Sequence, residues 1–193
     1  MERQILLVRH GKTQGNLQRR YLGGGTDEPL CKEGIAELES FVERGLYNSF
    51  TPDLVFASPM KRCLESANII CNSYEIRSVE SLREMSFGDF ENLTHAEIIG
   101  QPGCENFGID REHMIFRGGE SIAAFTERCM KAFNGIIASE QKKIAIVTHG
   151  GVIMAIMSEL YGGDMYDYIV ENGKGYLLFG ERGRESEPRW IRL

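Results

Sequence analysis

A three-layer αβα sandwich built on a mostly parallel central sheet is the fold class this sequence predicts, and three observations predict it. Short apolar runs bounded by turn residues alternate with longer segments of helical period. The runs are rich in β-branched residues, as strands covered on both faces should be. Histidines and arginines fall just past the ends of three of them, where open α/β sheets bind their ligands.

In chain order, residues 5–8 form the first expected strand, followed by a helix over 34–46, where Ile35, Leu38, Phe41 and Val42 share a face. Residues 54–57 give a second strand, and 59–71 a helix with Pro59 suited to its first turn. A strand at 74–79, a helix at 121–137, a strand at 144–148 and a helix at 152–161 continue the alternation. Residues 175–179 and 189–193 read as edge strands. No linker, repeat or low-complexity tract interrupts the chain, so residues 1–193 are expected to form a single domain, with a lid-like insertion at about 94–120.

Composition narrows the class of function. The 193 residues are 42% hydrophobic, enough to bury a sizeable core. Lys and Arg number 22 against 28 Asp and Glu, a balance opposed to the clustered positive charge of a nucleic-acid or anionic-membrane surface. No apolar run reaches the roughly 20 residues that span a bilayer, and Met1-Glu2-Arg3-Gln4 leads straight into a strand, so a cytoplasmic location is expected. Cys31, Cys63, Cys71, Cys104 and Cys129 are widely spaced, odd in number and without a CxxC pair, which points to reduced thiols and no zinc site.

Three strand ends carry chemistry: Arg9-His10-Gly11-Lys12-Thr13, Ser58-Pro59-Met60-Lys61-Arg62 and Thr148-His149-Gly150-Gly151. Two arginines and two histidines therefore converge on one rim. Guanidinium forks match phosphate oxygens, and a transferring phosphoryl group needs several such donors. A neutral imidazole can attack in line when its other nitrogen is held by a backbone carbonyl, a role that suits His10 beside Gly11. His149 can donate to the same phosphate, helped by the oriented amides of the helix that follows.

These residues carry a resemblance. Arg9-His10-Gly11-x-Thr13 with Asn16 resembles the signature of the histidine phosphatase superfamily, also called phosphoglycerate mutase-like. The likeness continues through Asp27-x-Pro29-Leu30, Gly34, Ser58-Pro59-x-x-Arg62, Leu82-Arg83-Glu84, Gly88-x-x-Glu91, Gly118-Gly119-Glu120-Ser121 and Thr148-His149-Gly150-Gly151. It spans nearly the whole chain in the family's order, and the 82–93 and 118–121 stretches are most similar to the α-ribazole-phosphatase type. The resemblance implies a phosphoglycerate mutase-like fold, a histidine acid-type phosphatase without cofactor or metal, a phosphohistidine on His10, and a pocket of Arg9, Asn16, Arg62 and His149. It also implies Glu84 as proton donor, and backbone contacts to phosphate from Gly23, Gly24 and Gly150. A carboxylic acid beside a dianion and shielded by Met85 and Phe87 should hold its proton, which fits that role.

Two departures stand out. Lys12 replaces the Glu or polar residue of many relatives, making the rim more positive, and the stretch between Tyr21 and Asp27 is one residue longer than usual. Substrate choice is expected from 101–117, which holds Arg111, His113 and Arg117. The expected substrate is a small phosphorylated metabolite, with α-ribazole 5'-phosphate a candidate, and the assembly is compatible with a homodimer. A cofactor-dependent phosphoglycerate mutase uses the same histidines, and a non-catalytic phospho-ligand-binding module is the alternative of another class.

Overall fold

The computed structural model describes residues 2–102, 104, 116–180 and 189–193. Its elements run β1 (Arg3–Arg9), α1 (Gln14–Leu17), α2 (Lys32–Glu43), β2 (Leu54–Ala57), α3 (Lys61–Ile70), β3 (Ile76–Ser78), α4 (His95–Ile98), α5 (Ile122–Ile137), β4 (Lys143–Thr148), α6 (Gly150–Tyr161), β5 (Gly175–Gly180) and β6 (Arg189–Arg192). The six strands form one sheet in the order β3-β2-β4-β1-β5-β6. The pairings of β3 with β2, β2 with β4 and β4 with β1 are parallel, whereas β5 runs antiparallel to both β1 and β6.

The period of two along β1 explains the three layers. Ile5 and Leu7 join a core with residues of α5 and α6, among them Phe125, Phe133, Ile153 and Ile156. Leu6 and Val8 point the other way, into a second core with Cys63 and Ala67 of α3 and with Phe41 and Val42 of α2 packed against it. A strand buried on both faces has no polar side to show, which is why its sequence reads as a continuous apolar run.

Several boundaries differ from the sequence expectation, each for a local reason. The first long helix starts at Lys32 because Cys31 caps it through its sulfur, and it stops at Arg44 because Gly45 takes φ 78° in a paired Gly45-to-Val42 and Leu46-to-Phe41 turn. Pro59 lies ahead of the α3 cap, Met60, instead of inside the first turn. The strand expected at 74–79 shrinks to Ile76–Ser78, since β3 is an edge with only the four-residue β2 to pair with. Residues 175–179 prove interior: β5 sits between β1 and β6, and of these two C-terminal strands β6 alone is an edge. Of the lid-like insertion expected at 94–120, residues 103 and 105–115, and with them Arg111 and His113, lie outside the described residues. No described helix is long and apolar enough to cross a membrane.

Candidate active site

Register builds the site. Arg9 pairs with Thr148 across β1 and β4, and Ala57 pairs with Val147 across β2 and β4, so these three strands end within one residue of each other. The next residues, His10, Ser58 and His149, therefore sit side by side on the rim, tied by His10 N to Thr148 O at 2.9 Å and Ser58 N to Val147 O at 3.0 Å. The imidazoles of His10 and His149 meet edge to face with centroids 5.2 Å apart.

His10 is 4% exposed, and its Nδ1 lies 2.7 Å from the Gly11 carbonyl. A carbonyl only accepts, so Nδ1 carries the proton and Nε2 keeps the lone pair. Burial holds the imidazole well below its ordinary pKa, with Arg62 and Arg9 adding to the effect against the Gly11 bond. The neutral, nucleophilic form is thus favoured. Backbone ties fix the segment: Gly11 N donates to Ser66 Oγ at 2.9 Å, and Asn172 Nδ2 donates to the His10 carbonyl at 3.0 Å.

Arg62 is fully buried and its donors fan out. Nη1 donates to Thr26 O at 2.7 Å, Nη2 to Gly23 O at 3.2 Å, and Nε to His149 Nδ1 at 3.3 Å. With Nδ1 accepting, the neutral His149 ring bears its proton on Nε2, which donates to Ser58 Oγ at 2.8 Å. Burial, and then Arg62, His10 and Arg9, also depress the His149 pKa. Arg9 donates from Nη1 to Val170 O at 2.8 Å, and its buried Nε has no hydrogen-bond partner among the described residues. Its guanidinium lies against Gly150 at the start of α6.

The glycine run supports the arginine in place of facing the rim with its amides. Gly23 N and Gly25 N each donate to Glu91 at 3.0 Å, and Gly24 N donates to Met85 O at 2.9 Å. Amides of Gly23 and Gly24, expected as phosphate contacts, are spent inside the protein. Their loop instead offers carbonyls to Arg62, and Glu91 braces it further through Thr26 Oγ1 at 2.7 Å and Phe87 N at 3.1 Å. Asn16 closes a capping box with Thr13 at the start of α1 and also accepts from Asn172 Nδ2 at 3.3 Å. Both bonds use Oδ1, which leaves the amide Nδ2 as the donor.

Glu84 is 9% exposed, so it is no solvated loop carboxylate. Its Oε1 accepts from Met85 N at 2.8 Å and its Oε2 from Gly151 N, in the first turn of α6, at 2.9 Å. Burial raises its pKa, outweighing those two amides and the positive Arg62 and Arg9 nearby. A carboxyl whose pKa burial raises, two imidazoles whose pKa burial depresses and two guanidinium groups therefore share one buried rim.

Beside it opens a cavity of about 330 Å³ lined by Arg9, Asn16, Arg19, Arg20, Tyr21, His95 and Asn172. Arg117 is not on that wall; it is exposed and paired with Asp89 at 3.3 Å. Lys12, expected to make the rim more positive, is paired with Glu37 at 2.8 Å, which spends much of that charge locally. Asn172, Ser58 and Arg128 were not singled out by sequence reasoning. Asn172 carries no motif signal, while Ser58 and Glu120, the partner of Arg128, lie inside the quoted motifs.

Known phosphatases resemble this chain in sequence and in fold. The chain is 29% identical over 166 residues to the adenosylcobalamin/alpha-ribazole phosphatase of Escherichia coli (strain K12), covering 82% of this chain and 79% of that protein. It is 32% identical over 165 residues to the uncharacterized phosphatase PhoE of Bacillus subtilis (strain 168), covering 83% and 78%. The crystal structure of the alpha-ribazole phosphatase from Shigella flexneri superposes with a TM-score of 0.82 at 25% identity, over 93% of this chain and 94% of that one. Residues 5–176 match the family model of the histidine phosphatase superfamily (branch 1), and to that superfamily this chain belongs.

Proposed function

We propose that this protein is a phosphomonoesterase that hydrolyses a small phosphorylated metabolite through a phosphohistidine on His10. The observation that carries the reading is the neutral His10 ring, held by the Gly11 carbonyl through Nδ1 and bordered by Arg9, Arg62, His149 and Glu84. The lone pair of Nε2 forms the N–P bond as the P–O ester bond breaks, and the departing alkoxide takes the Glu84 proton. Glu84, now a carboxylate, then removes a proton from water, whose oxygen attacks phosphorus and breaks the N–P bond. Inorganic phosphate leaves, and Nε2 regains its lone pair. Arg9, Arg62 and Asn16 supply donors to the phosphoryl oxygens throughout, and His149 adds its Nε2–H when that group turns from Ser58 Oγ to the phosphate, as charge stabilisation.

The acidic charge balance favours a free metabolite over nucleic acid or a membrane surface as the partner, with a cytoplasmic location and a homodimer compatible with it. The relatives named as alpha-ribazole phosphatases make α-ribazole 5'-phosphate the first compound to try among small phosphomonoesters. The test is rapid acid and alkali quenching during turnover of an aryl phosphate, with chelator present. A label on protein that is acid-labile and alkali-stable, lost in His10→Ala, is expected. Full activity in His10→Ala, or complete loss in chelator, overturns the reading. A requirement for a bisphosphorylated primer assigns a mutase instead.

A further inference from the structure

We infer that Arg128 and Glu120 are positioning residues for Glu84, holding the backbone on both sides of it so that its carboxyl meets the leaving group. The inference rests on the proposed role of Glu84 as proton donor.

The observation is an accounting of one guanidinium. Arg128 lies on α5, its Cζ 5.0 Å from the centre of the buried Phe125 ring. A guanidinium has five N–H donors, and all five find acceptors here. Nε and Nη2 each donate to a different oxygen of Glu120 at 2.7 Å. Nη1 donates to the carbonyls of Ser81 at 3.1 Å and Arg83 at 2.8 Å, and Nη2 also donates to the carbonyl of Glu84 itself at 3.1 Å. Glu120 completes the frame from the other side. Its Oε2 accepts from Ser86 N at 2.9 Å, and its own amide donates to Ser86 O at 3.0 Å.

Residues 81, 83, 84 and 86 are therefore fixed by one ion pair, so that Glu84 sits in the middle of a clamped segment. An ordinary surface ion pair joins two side chains and contributes little. This pair is three-quarters shielded and ends on four backbone groups of one short loop. Side chains on element termini or loops reach catalytic precision only when a supporting shell locks them. Glu120 belongs to the Gly118-Gly119-Glu120-Ser121 motif, which the proposed chemistry otherwise leaves without a task.

A positioning role differs from a merely structural one in what it does to different leaving groups. Proton donation matters for a basic alkoxide and hardly for an acidic phenolate. Arg128→Met should therefore cut kcat on glycerol 2-phosphate by on the order of 10²-fold, but on p-nitrophenyl phosphate by less than roughly fivefold. The basic limb of the alkyl-ester pH profile should move to lower pH as the loosened carboxyl regains water. Arg128→Lys should recover part of the alkyl activity, because an ammonium can reach carbonyls without matching the fork. The exchange Glu120→Arg with Arg128→Glu restores an ion pair, yet a carboxylate at 128 cannot donate to three carbonyls, so alkyl turnover should stay low.

Equal losses on the two esters, or wild-type alkyl turnover in the exchanged pair, would overturn the inference. If Arg128→Met does not fold, the alkyl-to-aryl ratio in Arg128→Lys decides: a ratio equal to wild type overturns it. Glu84→Gln measured alongside separates the two levels. Non-selective loss there removes the donor assignment itself, whereas selective loss in Glu84→Gln without selectivity at Arg128 removes only the clamp.

Discussion

Gly151→Ala should leave the fold intact and injure catalysis. A Cβ built at Gly151 falls 3.1 Å from Glu84 Cδ and 3.2 Å from Oε2, and closer still to Oε1, where ordinary contact begins at 3.4 Å. The overlapping atoms are the far end of one side chain, so the carboxyl gives way by about half an ångström to one ångström at little cost to packing. Position 151 lies in the first turn of α6, and alanine there is a better helix former than glycine by up to about 1 kcal/mol. Thermal stability should therefore hold or rise. A misplacement of about 1 Å in a reacting group costs on the order of 10²-fold in rate, near 2.7 kcal/mol of barrier. The assay is kcat for a series of phosphomonoesters graded by leaving-group pKa, read beside a melting curve. A steeper dependence on leaving-group basicity than wild type, with an unchanged melting temperature, is expected. An unaltered slope with wild-type kcat would refute the placement of Glu84 at the leaving group.

Arg62→Lys should lower turnover on every ester by on the order of 10² to 10³ and weaken vanadate inhibition in parallel, because a lysine has no fork and abandons the Gly23 and Thr26 carbonyls; unchanged vanadate inhibition would place the phosphate elsewhere. His10 and His149 titrate below the ordinary 6.5 in the folded chain, so as pH falls through about 6.5 the unfolded chain binds protons that the folded one does not, and stability falls. Glu84, raised above 4.5, acts with the opposite sign, its contribution present at low pH and lost as pH rises through its folded value. Denaturant midpoints at pH 7.5 and 5.5 should therefore differ less in His149→Gln than in wild type, and an equal or larger difference would contradict the buried neutral imidazole. Arg19 takes φ 56° just beyond α1, so Arg19→Gly should melt no lower than wild type, whereas Arg19→Ile should lose about 1 kcal/mol; the reverse order would show the left-handed turn to be misplaced.

The central strands and the residues at their ends were legible because both follow from short-range rules. Strands 5–8 and 54–57 had to be apolar throughout and 144–148 apolar up to Thr148, and His10, Arg62 and His149 had to follow them or the helix start beyond. What one sequence does not reveal is which partner a polar group chooses across the fold. The family resemblance implies phosphate contacts from Gly23 and Gly24, yet their amides meet Glu91 and Met85, 68 and 61 positions further along. Asn172 reaches the His10 carbonyl from a loop with no local pattern, across 162 positions. The helix expected at 152–161 begins two residues earlier, at Gly150, and Gly151 in its first turn is where Glu84 needs the room. The interior place of β5 was missed for a different reason: an apolar run states that a strand is covered, and pairing order decides whether it lies at the edge.

Charge explains why this rim needs two arginines when one fork would already hold a phosphate. A dianionic ester entering a buried site raises the pKa of every acid near it. For Glu84 that change is useful, since it keeps the proton to be delivered. For His10 it is harmful, since a protonated Nε2 has no lone pair. Arg9 and Arg62 both depress the His10 pKa, and both also pull on Glu84, yet burial dominates at each group and carries them in opposite directions. The buried site therefore favours the neutral form of both, with the arginines opposing the dianion's pull on the imidazole. Removing either arginine should shift the acid limb of the pH profile upward besides losing phosphate contacts, because the imidazole would then be more readily protonated when the ester binds.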